Sequence, residues 1–328
     1  MDADLFEPAP DAARRASGSA VARPPWLRFA SRAGTLKARL VAGALVAVVA
    51  GIALAIVWTS RLAAEAALAH AVRDDESETR RTVDATERRL QSMQQALSLA
   101  AEEFDPRTLR DPQALAALMA RQRLLAAQFS HVFVADREGG MLWWADLGGG
   151  RRPAARIGDR PYFVRTIESR EPQISEPVPG RVTGEPTILF TQPLVDGTGV
   201  YGILCGGLRL ASRDLLTELA GVGADDSGAV VVLADAAGRL IAHPERARLL
   251  APLQSDRRFA DAKAQWEAAG RPLRLLHQRG PDRPIVAMGT VSGVGWQVWR
   301  LASAPAIAEP LRPDRLRTEA GALALALA

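Results

Sequence analysis

The chain has 328 residues, 48% hydrophobic and 24% charged, which excludes a disordered or collagen-like polypeptide and leaves room for about two folded units. A single cysteine, Cys205, excludes an internal disulfide and a cysteine-rich zinc module, and four scattered histidines (His70, His131, His243 and His277) lack metal-ligand spacing. Lys and Arg exceed Asp and Glu by 41 to 37, a formal charge of +4 that speaks for nucleic acid only if it gathers on one face. Lysine is confined to Lys37 and Lys263, while alanine and arginine abound. That skew reads as genomic base composition and drains Ala-rich stretches of meaning.

From Leu40 to Trp58 the chain reads LVAGALVAVVAGIALAIVW, 19 residues without a charge. As a helix this stretch is about 28 Å long, close to the ~30 Å hydrocarbon thickness of a bilayer. A buried helix of a soluble protein is rarely apolar on every face for so long, so a membrane span is expected at 40–58. Arg23, Arg28, Arg32, Lys37 and Arg39 precede it, whereas Arg61 and Arg73 follow before Asp74, Asp75 and Glu76. The positive-inside rule places residues 1–39 in the cytoplasm and everything after Ser60 outside. Topology thus absorbs part of the positive charge, and no nucleic-acid partner is expected. A cleaved signal peptide is the rival, but the polar leader and apolar core exceed the ~7–15 apolar residues of such a peptide. An uncleaved anchor in a bacterial plasma membrane is the better reading.

Residues 60–104 lack proline and glycine and read as one long helix. Val83, Thr86, Leu90, Met93, Leu97, Ala100 and Phe104 recur at three- and four-residue spacing, a coiled-coil-like seam. Such a seam serves either packing within the domain or a homodimer, and a homodimer through this helix is expected. Pro112 to Phe129 reads as a second helix. His131–Asp136 and Met141–Trp144 read as strands around a turn, and Asp159–Ser169 as a short helix capped by Asp159. Glu185–Val195 and Val200–Leu210 are strands joined by Asp196-Gly197-Thr198-Gly199, a hairpin signal. Ser212–Leu219 reads as helix and Gly221–Gly228 as a polar joint. The plan then repeats: strands at Val230–Asp235 and Leu240–His243, a helix at Arg257–Ala269, and strands near Pro272–Gln278, Pro284–Val291 and Gly295–Ala302. Strand–Asp-x-x-Gly–strand occurs at Val134–Leu142 and again at Val232–Ile241, which suggests two related α+β modules in tandem. Residues 320–328 are apolar after Arg312, Arg315 and Arg317, and 319–328 reads as the start of a truncated second span, a frayed tail being the alternative.

Gly158-Asp159-Arg160-Pro161-Tyr162-Phe163, Ile174-Ser175-Glu176-Pro177, Gly180 to Thr187 (GRVTGEPT), Gly202 to Leu210 (GILCGGLRL) and Gly295-Trp296-Gln297-Val298 together resemble the double Cache family of extracytoplasmic sensor domains. The resemblance covers roughly residues 60–310. It implies an α+β fold: a long N-terminal helix, then two tandem PAS-like modules with antiparallel sheets, distal at about 105–212 and proximal at about 226–303. It further implies a ligand-sensing region between membrane spans, as in bacterial chemoreceptors, sensor histidine kinases and sensor diguanylate cyclases. The stretch from Gly180 to Thr187 looks most like segments ahead of diguanylate cyclases. A small-molecule ligand would sit in the distal module, within residues 130–210.

The amino-acid-binding subgroup carries Arg-x-Trp-Tyr where this chain has Arg160-Pro161-Tyr162-Phe163. Arg160 is retained, and a guanidinium fork suits a ligand carboxylate. The subgroup's acidic positions are replaced by Val178-Pro179-Gly180 and Gly206-Gly207, so a small polar or carboxylate ligand with no required ammonium is expected. Candidate ligand-binding residues are Arg160, Tyr162, Phe163, Glu176, Thr183, Glu185, Thr187, Trp144 and Asp136. Each has a plainer reading: Arg160 as a loop anchor, Tyr162, Phe163 and one of Trp143/Trp144 as core, and Asp136 as a turn cap. Cys205 reads as a small core residue. No phosphate-binding loop, nucleophile elbow or His-Glu-x-x-His pair occurs, so the segment is not expected to be an enzyme and no cofactor is expected. A membrane-anchored hydrolase and a non-signalling binding protein are the alternatives of another class.

Overall fold

The computed structural model describes residues 36–146, 148–211, 229–272, 274–278 and 285–302. The expected basic tail, the helix at 212–219, the joint at 221–228 and the second span expected from 319–328 lie outside these residues, apart from the last part of the tail. The chain divides into two compact units after Leu62. Of the first, the structure describes the start of helix α1 (Leu36–Ala101). Leu36–Ala63 is long and apolar enough to cross a membrane.

In the second unit, α1 leads into α2 (Pro106–Arg110), α3 (Pro112–Arg121) and α4 (Arg123–Gln128). Asp105 and Asp111 each accept backbone N–H groups of the following helix, and each is followed by a proline at the first helical position. The continuous helix expected over 112–129 is therefore two helices, broken at Gln122, whose ψ of 59° is not helical.

The first sheet comprises β1 (His131–Asp136), β2 (Met141–Asp146), β3 (Gly149–Arg151), β4 (Gln173–Ile174), β5 (Val178–Pro179), β6 (Pro186–Asp196) and β7 (Gly199–Arg209). Its order is β3-β2-β1-β7-β6-β4, with β5 also on β6. Because side chains alternate across a strand, each strand feeds two cores. Val132, Val134, Ile188, Phe190, Leu204 and Leu208 pack against the far part of α1 and α2–α4. Phe133, Ala135, Leu189, Ile203 and Cys205 pack on the other face, with α5 (Pro161–Ser169).

The second sheet contains β8 (Val230–Ala234), β9 (Leu240–Ala242), β10 (Arg274–Gln278), β11 (Ile285–Val291) and β12 (Trp296–Ala302), in the order β10-β11-β12-β8-β9. Val231, Leu233, Val291 and Val298 join the core that contains α1, while Val232, Met288 and Trp299 meet α6 (Arg257–Ala268) on the opposite face. The mixed α+β architecture with two antiparallel sheets is as the sequence implied.

The two Asp-x-x-Gly turns are near copies. Asp136 Oδ1 accepts Gly140 N–H at 2.7 Å, and Asp235 Oδ1 accepts Arg239 N–H at 2.8 Å. Gly139 and Gly238 both adopt positive φ, 80° and 81°, a region open to glycine at little cost. Their carbonyls receive Ile157 and Leu253 N–H, both at 2.8 Å.

The seam along α1 is consumed within the chain. Val83, Thr86, Leu90, Met93, Leu97, Ala100 and Phe104 are all buried by the chain itself. A pairing of two copies would have to use other faces of this helix. Polar contacts fix its height against both sheets. Gln94 Nε2 donates to Thr191 O at 3.1 Å in the first, while Glu87 accepts Ser292 N–H at 2.6 Å in the second. Arg300 Nε donates to Asp75 at 2.8 Å, a buried pair in which desolvation still raises the Asp75 pKa.

Candidate functional site

Helix α5 starts at Pro161, with Arg160 rather than Asp159 at its cap position and no side-chain cap bond. Asp159 instead forms an ion pair with Arg181, which keeps its carboxyl below the usual range. The helix buries Tyr162, Phe163 and Thr166, spaced to face the sheet. The Thr166 hydroxyl donates to Tyr162 O and meets the Thr191 hydroxyl at 2.6 Å, tying α5 to β6.

After β5 the chain turns through Gly180–Gly184 and returns as β6. Gly180 N–H donates to Glu185 O at 2.9 Å and Gly184 N–H to Gly180 O at 2.8 Å, so the turn is closed by its own backbone. Arg160 Nη2 donates to Pro179 O at 3.0 Å, and Arg181 reaches Asp159, so two arginines hold this turn against the start of α5.

Beneath the turn lies a small cavity of about 20 Å³, walled by His131, Phe133, Met141, Trp144, Ile157 and Tyr162 on the sheet and α5 side. Arg181, Val182, Thr183, Thr187 and Leu189 complete it with the turn and β6. Such a space holds about one water molecule. Thr187 is buried and spends its hydroxyl on Leu208 O at 2.9 Å.

Of the residues singled out from the sequence, Trp144, Tyr162, Thr183 and Thr187 meet at this cavity. Arg160 stands behind it, on Pro179. Phe163 packs in the core on α5's side of the sheet. Asp136 closes its turn on Gly140, and Glu176 is exposed and paired with Arg239 of the second module at 3.0 Å. Glu185 lies within 3.2 Å of Arg209, which also reaches Asp146 at 3.2 Å.

Two ionisable wall residues were not among the candidates, His131 and Arg181. His131 opens β1 directly opposite Gly207 of β7. A Cβ on Gly207 would come within 2.1 Å of the imidazole, and one on Gly206 within 2.5 Å of the Phe129 ring. The glycine pair thus makes room for two rings, a function visible only once the strand pairing is known. Burial, then the nearby Arg209, pushes the His131 pKa down to about 4, against the pull of Asp146. It is a neutral imidazole at pH 7, and its Nδ1 is buried without a partner. Arg181 lies in the stretch quoted for the family resemblance, and its place beside the enclosed turn was the available signal. Among the described residues no group of three His, Cys, Asp or Glu side chains is placed to hold a metal ion.

A family model described as a Cache domain matches residues 63–311. Among solved structures, the chain is similar to the ligand-binding domain of the Pseudomonas aeruginosa PAO1 amino acid chemoreceptor PctB in complex with L-Gln. That likeness has a TM-score of 0.52 at 16% identity and covers 75% of this chain and 97% of that one. The ligand-binding domain of the Pseudomonas fluorescens chemoreceptor CtaA with L-isoleucine gives 0.52 at 18% identity, covering 73% and 97%. An extracellular ligand binding receptor from Desulfohalobium retbaense gives 0.51 at 12% identity, covering 69% and 39%. No curated protein sequence matches. At these identities the structural likeness is one of fold.

Proposed function

Because the chain belongs to the Cache domain family, we propose that it is the ligand-sensing region of a membrane-anchored signal receptor. Its apolar helix spans the bacterial plasma membrane, the basic leader faces the cytoplasm, and the two modules lie outside. The charge asymmetry around residues 40–58 supports this orientation. Two outputs have equal support: a diguanylate cyclase, from the family likeness of Gly180 to Thr187, and a chemotaxis output, from the fold shared with chemoreceptor domains. No catalytic step is assigned to this segment. A ligand held better by one arrangement of the first module shifts its population, and coupling of ~1–3 kcal/mol is enough to be useful.

The ligand is a small carboxylate or an uncharged polar molecule. The observation that carries this reading is the composition of the cavity wall. It contains Arg181, the hydroxyls of Tyr162 and Thr183, and the neutral His131, but none of its residues is Asp or Glu. The PctB and CtaA domains hold L-Gln and L-isoleucine, whereas the wall of this cavity offers an α-ammonium group no carboxylate, the nearby Asp159 being taken by Arg181. The cavity as it stands is smaller than these molecules, so entry requires the turn at 180–184 to move. Arg160 and Arg181 are the groups that hold that turn.

The test is calorimetry on the detergent-solubilised full chain with propionate, lactate and succinate. Saturable heat is expected for at least one, weakened tenfold or more by Arg181→Gln and by Arg160→Ala while the melting temperature stays unchanged. Absence of carboxylate heat, or affinity indifferent to both substitutions, would overturn the reading.

A further inference from the structure

A groove of about 620 Å³ lies between the two sheets, against α1. That volume falls within the ~300–1,000 Å³ of small-molecule sites. Glu87, Gln91 and Gln94 of α1 form one wall, spaced so that they share a helix face. Arg165, Ser175 and Glu176 form another, and Asp235, Ser292 and Trp296 belong to the second module.

Many of its polar groups are already engaged. Asp235 serves Arg239 through both oxygens, and Ser175 bridges Leu189 N–H and Glu176 O. What remains open on the α1 wall is a set of acceptors. Glu87 uses Oε1 on Ser292 N–H, which leaves Oε2. Gln94, also on this wall, is anchored through Nε2 to Thr191 O, and its Oε1 is buried without a partner. Three carboxylates line the groove against one guanidinium, Arg165; Arg239, adjacent to it, offsets one more. The balance remains negative.

We infer that this groove is a second binding site, for a small molecule carrying a primary ammonium group held by Glu87 and Gln94. A bound ammonium contacts α1, and Gln94 passes the contact to Thr191 of β6. Because Ser292 also rests on Glu87, occupancy bears on both modules at once.

The test is calorimetry on the detergent-solubilised full chain with 1,4-diaminobutane and n-butylamine, and with butyrate as the anionic counterpart. Saturable heat is expected for an amine, with affinity reduced at least tenfold in Glu87→Gln and in Gln94→Leu. Gln91→Ala, an exposed change that keeps the fold, is expected to weaken binding about threefold. No amine heat in the unaltered chain, or one affinity across all three variants, would overturn the inference. Neither result depends on carboxylate binding in the first module.

Discussion

At the scale of single residues, His131 shows how a side chain's surroundings decide its chemistry. Folding takes a group with an ordinary pKa of 6.5 and holds it at about 4. Between these values the unfolded chain binds the proton and the folded chain does not, so this residue makes stability fall as pH drops from about 6.5 toward 4. The loss reaches roughly 3 kcal/mol in the limit. His131→Phe fills a comparable space and carries no proton, so its melting temperature is expected to fall less than that of the unaltered chain between pH 6.5 and 4. Thermal melts of both in the same detergent across this range check it, and parallel curves would assign the acid limb to other groups. The residue was legible as the first of a strand but not as a wall of the cavity, because its place depends on Gly207, 76 positions away and set beside it only by the β1–β7 register. Asp159 illustrates the converse. Its position before a helical pattern predicts a cap, yet Arg181 takes the carboxylate, and no local pattern announces a partner across a turn.

At the scale of elements, what repeated in the sequence repeats in the structure. The two Asp-x-x-Gly turns were legible because the turn needs a short carboxylate to receive an amide and a glycine at positive φ. Hydrophobic spacing likewise gave α1, α5, α6 and the long strands, since those residues pay for their position by burial. The short strands β3, β4 and β5 and the break at Gln122 were not legible. Two- and three-residue strands bury too little to impose a period, and a helix break without proline or glycine leaves no mark. The paired turns differ in one respect that sets their energetics. Asp136 is half-buried and holds one backbone amide, whereas Asp235 is 2% exposed and also binds the Arg239 guanidinium at 2.8 Å. Asp136→Ala is expected to cost about 1 kcal/mol, in line with loss of a capping carboxylate. Asp235→Ala is expected to cost roughly twice that, since a charge-assisted bond goes as well and the exposed side of Arg239 falls back on water. Urea unfolding followed by tryptophan fluorescence measures both. Equal costs would mean that the Arg239 contact adds nothing.

At the scale of the whole molecule, one helix carries two kinds of surface. From Asp75 to Phe104 its buried residues and the segment that follows are covered by the chain's own sheets. From Leu40 to Trp58 the large apolar side chains are exposed, Leu54 by 68%. In water that stretch would be costly at about 25 cal/mol for each Å² left wet, and a bilayer removes the cost. The sequence alone reveals this contrast, because a stretch apolar on every face and a stretch apolar on one stripe differ in period. The orientation proposed for it rests on flanking charge, and the lone cysteine makes it measurable. Cys205 is fully buried and burial drives its thiol pKa well up, so it is a poor target for maleimides at neutral pH. A cysteine placed at Leu124, which is 72% exposed on α4, then reports the side on which the modules lie. A membrane-impermeant maleimide applied to intact cells, after permeabilisation of any outer membrane, is expected to label Leu124→Cys. Ser17→Cys in the basic leader is expected to react only after lysis of the inner membrane. The reverse pattern would place the modules in the cytoplasm, beyond the reach of external ligands, and would remove the basis for a transmembrane sensor.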